Sequence, residues 1–323
     1  MARQKTSKIN IAVFDVEPEM ERYFRAHFPA SKTILRFYRR SLRERDAKTL
    51  GDIEILIVFI HSKVGENILR AMPKLKLIAT CSTGYDHIDV RACAKRDVAV
   101  ANVPAYGENT VAEFTFALLL GVMRRIREAA EHTRAGNFSA RELRGYDLTG
   151  KTIGVVGCGK IGMRVIHIAN GFGMRVLAYD PVIKASVIKK NNAMSASLDR
   201  LIRTSDIITL HAPLLPSTRH LLNAVRFRQM KKGVVIINTA RGGLIDTNAL
   251  FRALQKGTVR FAGLDVLEGE EALVQEESQL LLAKFSETSM RTVLENHFLL
   301  RDDRVLITPH VAFNSHEAVE RIY

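Results

Sequence analysis

Apolar and polar positions along the chain follow two periods. Short β-rich runs occupy residues 9–15, 33–38, 53–60, 75–81 and 98–103, and the stretches between them, such as 17–27 and 64–72, carry apolar residues at helical spacing. Strands alternating with helices predict parallel βαβ units. Residues 109–132 place Val111, Phe114, Phe116, Leu118, Leu119, Val122 and Ile126 on one long helix. A helix that apolar is expected to be buried, within the fold or against a partner subunit. Residues 134–147 read as a polar connector punctuated by Gly136 and Gly145, and Gly150 opens a second series. Its strands are expected at 152–156, 175–179, 207–210, 234–238, 261–266 and 305–308, six in all, enough for a complete doubly wound sheet. Residues 271–303 read as a long, helix-prone, charged connection before the last strand.

Composition narrows the class. The 323 residues fit two domains of ~100–200 residues each. With 47% hydrophobic and 25% charged residues, disordered, collagen-like and disulfide-stapled classes are excluded. Cys81, Cys93 and Cys158 are odd in number and show no CxxC spacing, so no disulfide framework and no metal site is expected, and a reducing, cytoplasmic setting is. The basic start of the chain runs into an apolar stretch that Asp15 and Glu17 interrupt, unlike a secretory signal. No apolar run reaches the ~18–20 residues of a membrane span, so a soluble protein is expected.

Charge is the compositional oddity: 48 Lys and Arg against 34 Asp and Glu, a net +14. Such a balance raises nucleic acid, an acidic membrane surface or anionic metabolites as partners. The densest cluster, Arg36, Arg39, Arg40, Arg43, Arg45 and Lys48, has only Phe37 and Tyr38 nearby for stacking. That pattern favours a solvated basic face over a nucleic-acid site.

The sequence GCGKIG at 157–162 follows the apolar run 153–156 and opens a helical pattern. Glycines there let the backbone turn tightly and approach a pyrophosphate at a helix N-terminus. The next strand ends at Asp180, eighteen residues after Gly162, where a carboxylate accepts ribose hydroxyls and repels a 2′-phosphate. NAD is therefore expected over NADP. Ligands of open α/β sheets collect at the carboxyl ends of strands. Three downstream strands run there into Arg241, into the acidic stretch holding Glu268 and Glu270, and into His310. Each alone has an ordinary structural reading; together, beside a dinucleotide loop, they suggest a catalytic set.

Seven ordered stretches carry a resemblance: NVPAYGEN at 102–109, VAEF at 111–114, the glycine loop, LHAPL at 210–214, NTARGG at 238–243, GLDV at 263–266 and TPHVAF at 308–313. The sequence resembles the D-isomer-specific 2-hydroxyacid dehydrogenases, closest to the D-lactate dehydrogenase-like branch. The resemblance implies a doubly wound NAD-binding Rossmann domain at 105–313 and a flavodoxin-like α/β substrate domain at 1–104 with 314–323. It implies NAD-dependent, reversible reduction of a small 2-oxo acid to the D-2-hydroxy acid, with hydride from NADH and a proton from His310. Pyruvate is the first choice, glyoxylate or hydroxypyruvate the alternatives. A non-enzymatic, NAD(H)-sensing, corepressor-like regulator is the alternative of another class.

The same resemblance assigns residues. Glu270, chosen over Glu268 and Glu271 by its spacing from Asp265, would hold His310 and stabilise its imidazolium. Arg241 would bind the substrate carboxylate and polarise the carbonyl. Thr83, Gly84 and Tyr106 would contact substrate, although Tyr106 could also be a hinge aromatic. Cofactor contacts would come from Gly157, Gly159, Lys160, Ile161, Gly162, Asp180, His211, Pro213, Thr218, Thr239, Ala240 and Asp265. The apolar helix after Asn109 matches the family's dimer-forming region, so a homodimer is implied. Two departures stand out. The interval from Glu270 to His310 is long, and only residues 315–323 stand where the family usually has a returning helix.

Overall fold

The computed structural model describes residues 8–270 and 287–323. Glu271 and the first part of the predicted charged connection lie outside the described residues, as does the basic amino-terminal stretch. The chain divides into two units: Met1–Tyr106 with Ser315–Tyr323, and Gly107–Asn314.

The first unit is a five-stranded parallel sheet of β1 (Ile9–Val13), β2 (Thr33–Phe37), β3 (Ile55–Val58), β4 (Leu77–Thr80) and β5 (Ala99–Ala101). Its order, β2-β1-β3-β4-β5, is that of flavodoxin-like folds. Ile11 pairs across to Leu35 on one side and Ile55 on the other. Helices cover a parallel sheet on both faces, so its inner strands are almost wholly apolar. Phe14, Leu56, Ile78, Ile68 and Met72 form the core here. Helix His316–Ile322 belongs to the same unit: Ser315 caps it, and Arg321 Nε donates to the Tyr106 carbonyl at 2.8 Å. The basic cluster of this unit is partly neutralised, since Arg36 pairs with Asp52 and Arg40 with Asp46.

The second unit is a parallel sheet of seven strands: β6 (Thr152–Val156), β7 (Arg175–Tyr179), β8 (Met194–Ser195), β9 (Ile207–Leu210), β10 (Val234–Asn238), β11 (Val259–Leu264) and β12 (Val305–Ile307). The order β12-β11-β10-β9-β6-β7-β8 places the reversal of winding at β6 and β9, the crevice where doubly wound sheets bind dinucleotides. One strand more is present than the sequence predicts. The extra β8 is two exposed residues at the sheet margin, too short to carry a period. β11 also starts two residues early, because a register shift at Val234/Val235 lets Val259 pair.

The helix expected over 109–132 is two helices, Glu108–Met123 and Ile126–Arg134. They part at Arg125, whose φ of +52° no helix accommodates. Helix Glu108–Met123 is apolar on several sides because it is buried within its own unit, touching both helix Lys160–Gly171 and strands β10–β12. Phe116 stacks on Phe172 with ring centroids 5.3 Å apart. Gly121 and Gly263 keep helix and sheet close; a Cβ on Gly121 would lie 2.8 Å from Leu306. Among the described residues, no helix is long and apolar enough to cross a membrane.

Candidate active site

β6 ends in the glycine loop. Gly157 sits at φ +94°, a left-handed conformation that favours glycine, and a Cβ there would strike the His211 backbone at 2.6 Å. Gly162 is packed under the loop, since its Cβ would fall 2.0 Å from the Gly157 carbonyl. Gly159 differs: nothing lies within 4 Å of where its Cβ would be, so the loop is open at this position. Gly159 is also the N-cap of helix Lys160–Gly171 and has no side chain to cap it. The first N–H groups of that helix, those of Lys160, Ile161 and Gly162, have no intrahelical acceptor and carry the positive end of the dipole. This is a cradle for a pyrophosphate.

Asp180 closes the loop from the end of β7. One carboxylate oxygen accepts the Cys158 N–H at 2.8 Å, and the other accepts those of Val182 and Ile183. Burial opposes its ionisation, but these three N–H groups hold its pKa below the usual carboxylate range. Across the crevice, the His211 N–H donates to the Val156 carbonyl at 2.7 Å, and its Nε2 lies 2.8 Å from Thr209 Oγ1. Its ring is partly buried at the sheet end, where desolvation pushes its pKa down to about 3. His211 is thus neutral at pH 7 and stands beside the glycine loop, away from the His310 turn by connectivity. The Thr218 hydroxyl donates to the Pro213 carbonyl at 2.6 Å and closes the turn that follows.

The third sheet end holds a histidine–carboxylate pair. His310 Nδ1 lies 2.8 Å from Glu270 Oε1. An ionised carboxylate only accepts, so Nδ1 carries the proton and Nε2 is left to exchange with a ligand. Glu270 is oriented in turn by the Leu267 N–H on its other oxygen, at 3.0 Å. Glu268 pairs instead with Arg219 and His220, which separates the two carboxylates that the sequence alone leaves close.

His310 stands at φ +55°, strained for a side-chain-bearing residue. Asp265, 1% exposed, holds that turn in place. Its carboxylate accepts the Thr308 hydroxyl at 2.6 Å and the N–H groups of Val311 and Ala312 at 2.9 and 2.8 Å, and its carbonyl accepts the His310 N–H. Burial raises the Asp265 pKa against the pull of those donors. In this structure the Asp265 carboxylate is bonded to the His310 turn.

Arg241 follows β10, the neighbour of β11. Asn238, fully buried, braces its turn by accepting the Ala240 N–H and donating to the Arg241 carbonyl. The Thr239 hydroxyl is 2.9 Å from that of Thr115 on helix Glu108–Met123. Gly242 is wedged against Leu267, whose carbonyl carbon would lie 2.1 Å from an added Cβ. The Arg241 turn and the loop leading to Glu270 therefore abut. Asn238 and Thr115 escaped the sequence reading: Asn238 stood inside a quoted motif but has no charge to mark it, and Thr115 lies 124 positions from its partner.

Thr83, Gly84 and Tyr106 lie in the first unit. The Thr83 hydroxyl donates to the Val103 carbonyl, its own carbonyl accepts Asn102 Nδ2, and the Gly84 carbonyl accepts the Ser82 hydroxyl at 2.6 Å. Tyr106 is mostly buried. Among the described residues, no group of three or more His, Cys, Asp or Glu is arranged to hold a metal ion.

The chain is similar to known proteins over most of its length. A family model described as D-isomer specific 2-hydroxyacid dehydrogenase, NAD binding domain, matches residues 116–312. The D-lactate dehydrogenase of Escherichia coli (strain K12) is 34% identical over 319 residues, 97% of this chain and 93% of that protein. A glyoxylate reductase of Thermococcus litoralis is 36% identical over 276 residues, 83% of this chain and 77% of that protein. Among solved structures, D-lactate dehydrogenase from Aquifex aeolicus, complexed with NAD and lactic acid, superposes with a TM-score of 0.85 at 37% identity, covering 97% of this chain and 92% of that one.

A doubly wound sheet with a glycine loop at its switch point and a His–carboxylate pair at neighbouring strand ends defines an NAD-dependent oxidoreductase. The chain belongs to the D-isomer specific 2-hydroxyacid dehydrogenases, and residues 116–312 match the family's NAD-binding domain. Members of this family act on 2-oxo and 2-hydroxy acids. The open face at Gly159, the uncapped helix start and Asp180 fit NAD.

Proposed function

We propose that this dehydrogenase interconverts pyruvate and D-lactate. The observation that carries the chemistry is the His310–Glu270 pair, 2.8 Å apart on a turn that Asp265 holds strained. His310 Nε2 gives a proton to the 2-oxo oxygen in reduction and takes it back in oxidation. Glu270 keeps the ring in one tautomer and stabilises the imidazolium between these events. Arg241 binds the substrate carboxylate through its planar guanidinium and orients the carbonyl. Thr83, Gly84 and Tyr106 are assigned to the substrate as well. Gly157, Gly159 and Gly162, the N–H groups of Lys160 and Ile161, and Asp180, His211, Pro213, Thr218, Thr239, Ala240 and Asp265 are assigned to the cofactor. NADH, when bound, supplies the hydride.

Pyruvate is preferred because similarity to a D-lactate dehydrogenase spans 97% of the chain, whereas similarity to the glyoxylate reductase above spans 83%. We assign residues 1–104 with 314–323 to substrate binding and 105–313 to NAD. A cytoplasmic homodimer completes the reading, with the exposed Ile126 and Phe138 as apolar contributors to its contact. The deciding experiment follows NADH oxidation with pyruvate, glyoxylate, hydroxypyruvate and 2-oxoisocaproate, and resolves the product enantiomers. The highest kcat/KM with pyruvate and a D-lactate product is expected. Preference for glyoxylate or hydroxypyruvate would overturn the substrate, and an L-product would overturn the reading of the site.

A further inference from the structure

Apart from Arg241, the excess positive charge of the chain has no assigned part in this chemistry, yet one cavity gathers a portion of it. The cavity lies in the second unit, at the amino ends of β6, β9 and β10, the opposite end of the sheet from the glycine loop and Arg241. It is a half-open pocket of about 130 Å³, and Tyr146, Lys151, Asp206, Lys231, Lys232 and Arg260 supply its polar lining. Four cations thus share it with one carboxylate.

That carboxylate is already committed. Asp206 accepts Lys231 Nζ at 2.7 Å on one oxygen and the Thr152 N–H at 2.8 Å on the other. With Lys231 and Asp206 cancelling, Lys151, Lys232 and Arg260 leave three positive charges on the cavity wall. Two of them are held there by Tyr146. The Arg260 guanidinium lies 4.8 Å from the Tyr146 ring centroid and also donates to the Tyr146 hydroxyl; Lys151 Nζ lies 5.9 Å from the same ring. Arg260 is packed over Gly233 as well, where an added Cβ would meet its terminal nitrogen at 3.0 Å. Cations collected in this way repel one another, and an anion among them relieves the repulsion.

Size and donor type select the anion. A water molecule takes ~30 Å³ of liquid volume, so the cavity has room for a tetrahedral oxyanion with a few waters. It is well below the ~300–1,000 Å³ of a pocket for a drug-sized ligand. A guanidinium fork with two flexible ammonium groups matches the oxygens of a phosphate, which carries about −1.5 to −2 at pH 7.

We propose that this cavity binds a phosphate group, free or at the end of a small phosphorylated metabolite, at a site distinct from that of NAD. The occupant makes a fork of hydrogen bonds with Arg260 and charge contacts with Lys151 and Lys232.

The test uses the full chain saturated with NADH, so that the glycine loop is occupied. Inorganic phosphate and glycerol 3-phosphate are titrated by calorimetry and thermal shift, against sodium chloride of matched ionic strength. Saturable phosphate binding is expected, with a rise in Tm that chloride does not reproduce. The Lys232→Gln, Arg260→Gln double variant should bind phosphate about tenfold more weakly, with kcat and NADH affinity unchanged. Lys232→Gln alone guards against a folding defect and should weaken binding by a smaller factor in the same direction. Tighter binding of glycerol 3-phosphate identifies an esterified ligand, and equal binding identifies free phosphate. No binding at tens of millimolar, a matching chloride effect, or undiminished affinity in both variants would overturn the proposal.

Discussion

His310 combines a proposed proton-transfer role with a strained backbone, and different neighbours support each. Glu270 orders the ring; Asp265 holds the turn by three hydrogen bonds to its carboxylate. Removing the ring should remove the acid–base contribution, which is worth ~10²–10⁴-fold in rate. His310→Ala is therefore expected to lower kcat within that range, measured by NADH oxidation, with NADH affinity unchanged by fluorescence titration. Asp265→Ala should also lower kcat, since the Thr308 hydroxyl and the Val311 and Ala312 N–H groups lose their acceptor and the turn relaxes from φ +55°. The two effects act through one group. The double variant is expected to be no slower than His310→Ala alone, and additive losses would show that Asp265 acts elsewhere in the reaction.

The glycine loop shows how one element can contain positions that fail for opposite reasons. An alanine at Gly162 would bring its Cβ to 2.0 Å from the Gly157 carbonyl, whereas one at Gly159 meets no protein atom within 4 Å. Gly162→Ala is expected to lower Tm and weaken NADH binding together. Gly159→Ala should leave the Tm of the unliganded protein unchanged and still weaken NADH binding by about tenfold, or ~1.4 kcal/mol. Loss of stability at Gly159 would mean that its open side is filled by protein.

The strands were legible because parallel strands covered on both faces are runs of Ile, Val and Leu, as in β9 and β10. The glycine loop, Arg241 and His310 were legible because each follows such a run directly. What escaped lacks a local pattern. β8 is too short to show one, and Arg125 breaks a helix through a backbone angle that its side chain does not announce. Thr115 and the bonding of Asp265 depend on partners brought from distant parts of the chain, and Asn238 is an uncharged residue bracing a turn two and three positions on.

His211 links the site to the stability of the fold. Its pKa falls from an ordinary 6.5 to about 3 on burial, so below pH 6.5 the unfolded chain binds a proton that the folded one refuses. Stability is then fully present above pH 6.5 and is lost as pH falls toward 3, with a slope of at most ~1.4 kcal/mol per pH unit. Urea unfolding of wild type and His211→Gln between pH 7 and pH 4 checks this. The variant should show the shallower decline, and parallel curves would assign the acid sensitivity to other groups.

The division of the chain has a consequence for its biosynthesis. The unit Gly107–Asn314 is one uninterrupted segment, but the other is assembled from Met1–Tyr106 and Ser315–Tyr323. Its helix His316–Ile322, and the bond from Arg321 to the Tyr106 carbonyl, join residues translated about two hundred codons apart. Domains fold as units during synthesis at ~5–20 residues per second, so the first sheet waits ten seconds or more for helix His316–Ile322. Throughout that interval the inserted unit can already close around its own core. Until residues 316–322 emerge, the nascent first unit lacks the buried Ala318 and Ile322 of that helix and the bond from Arg321.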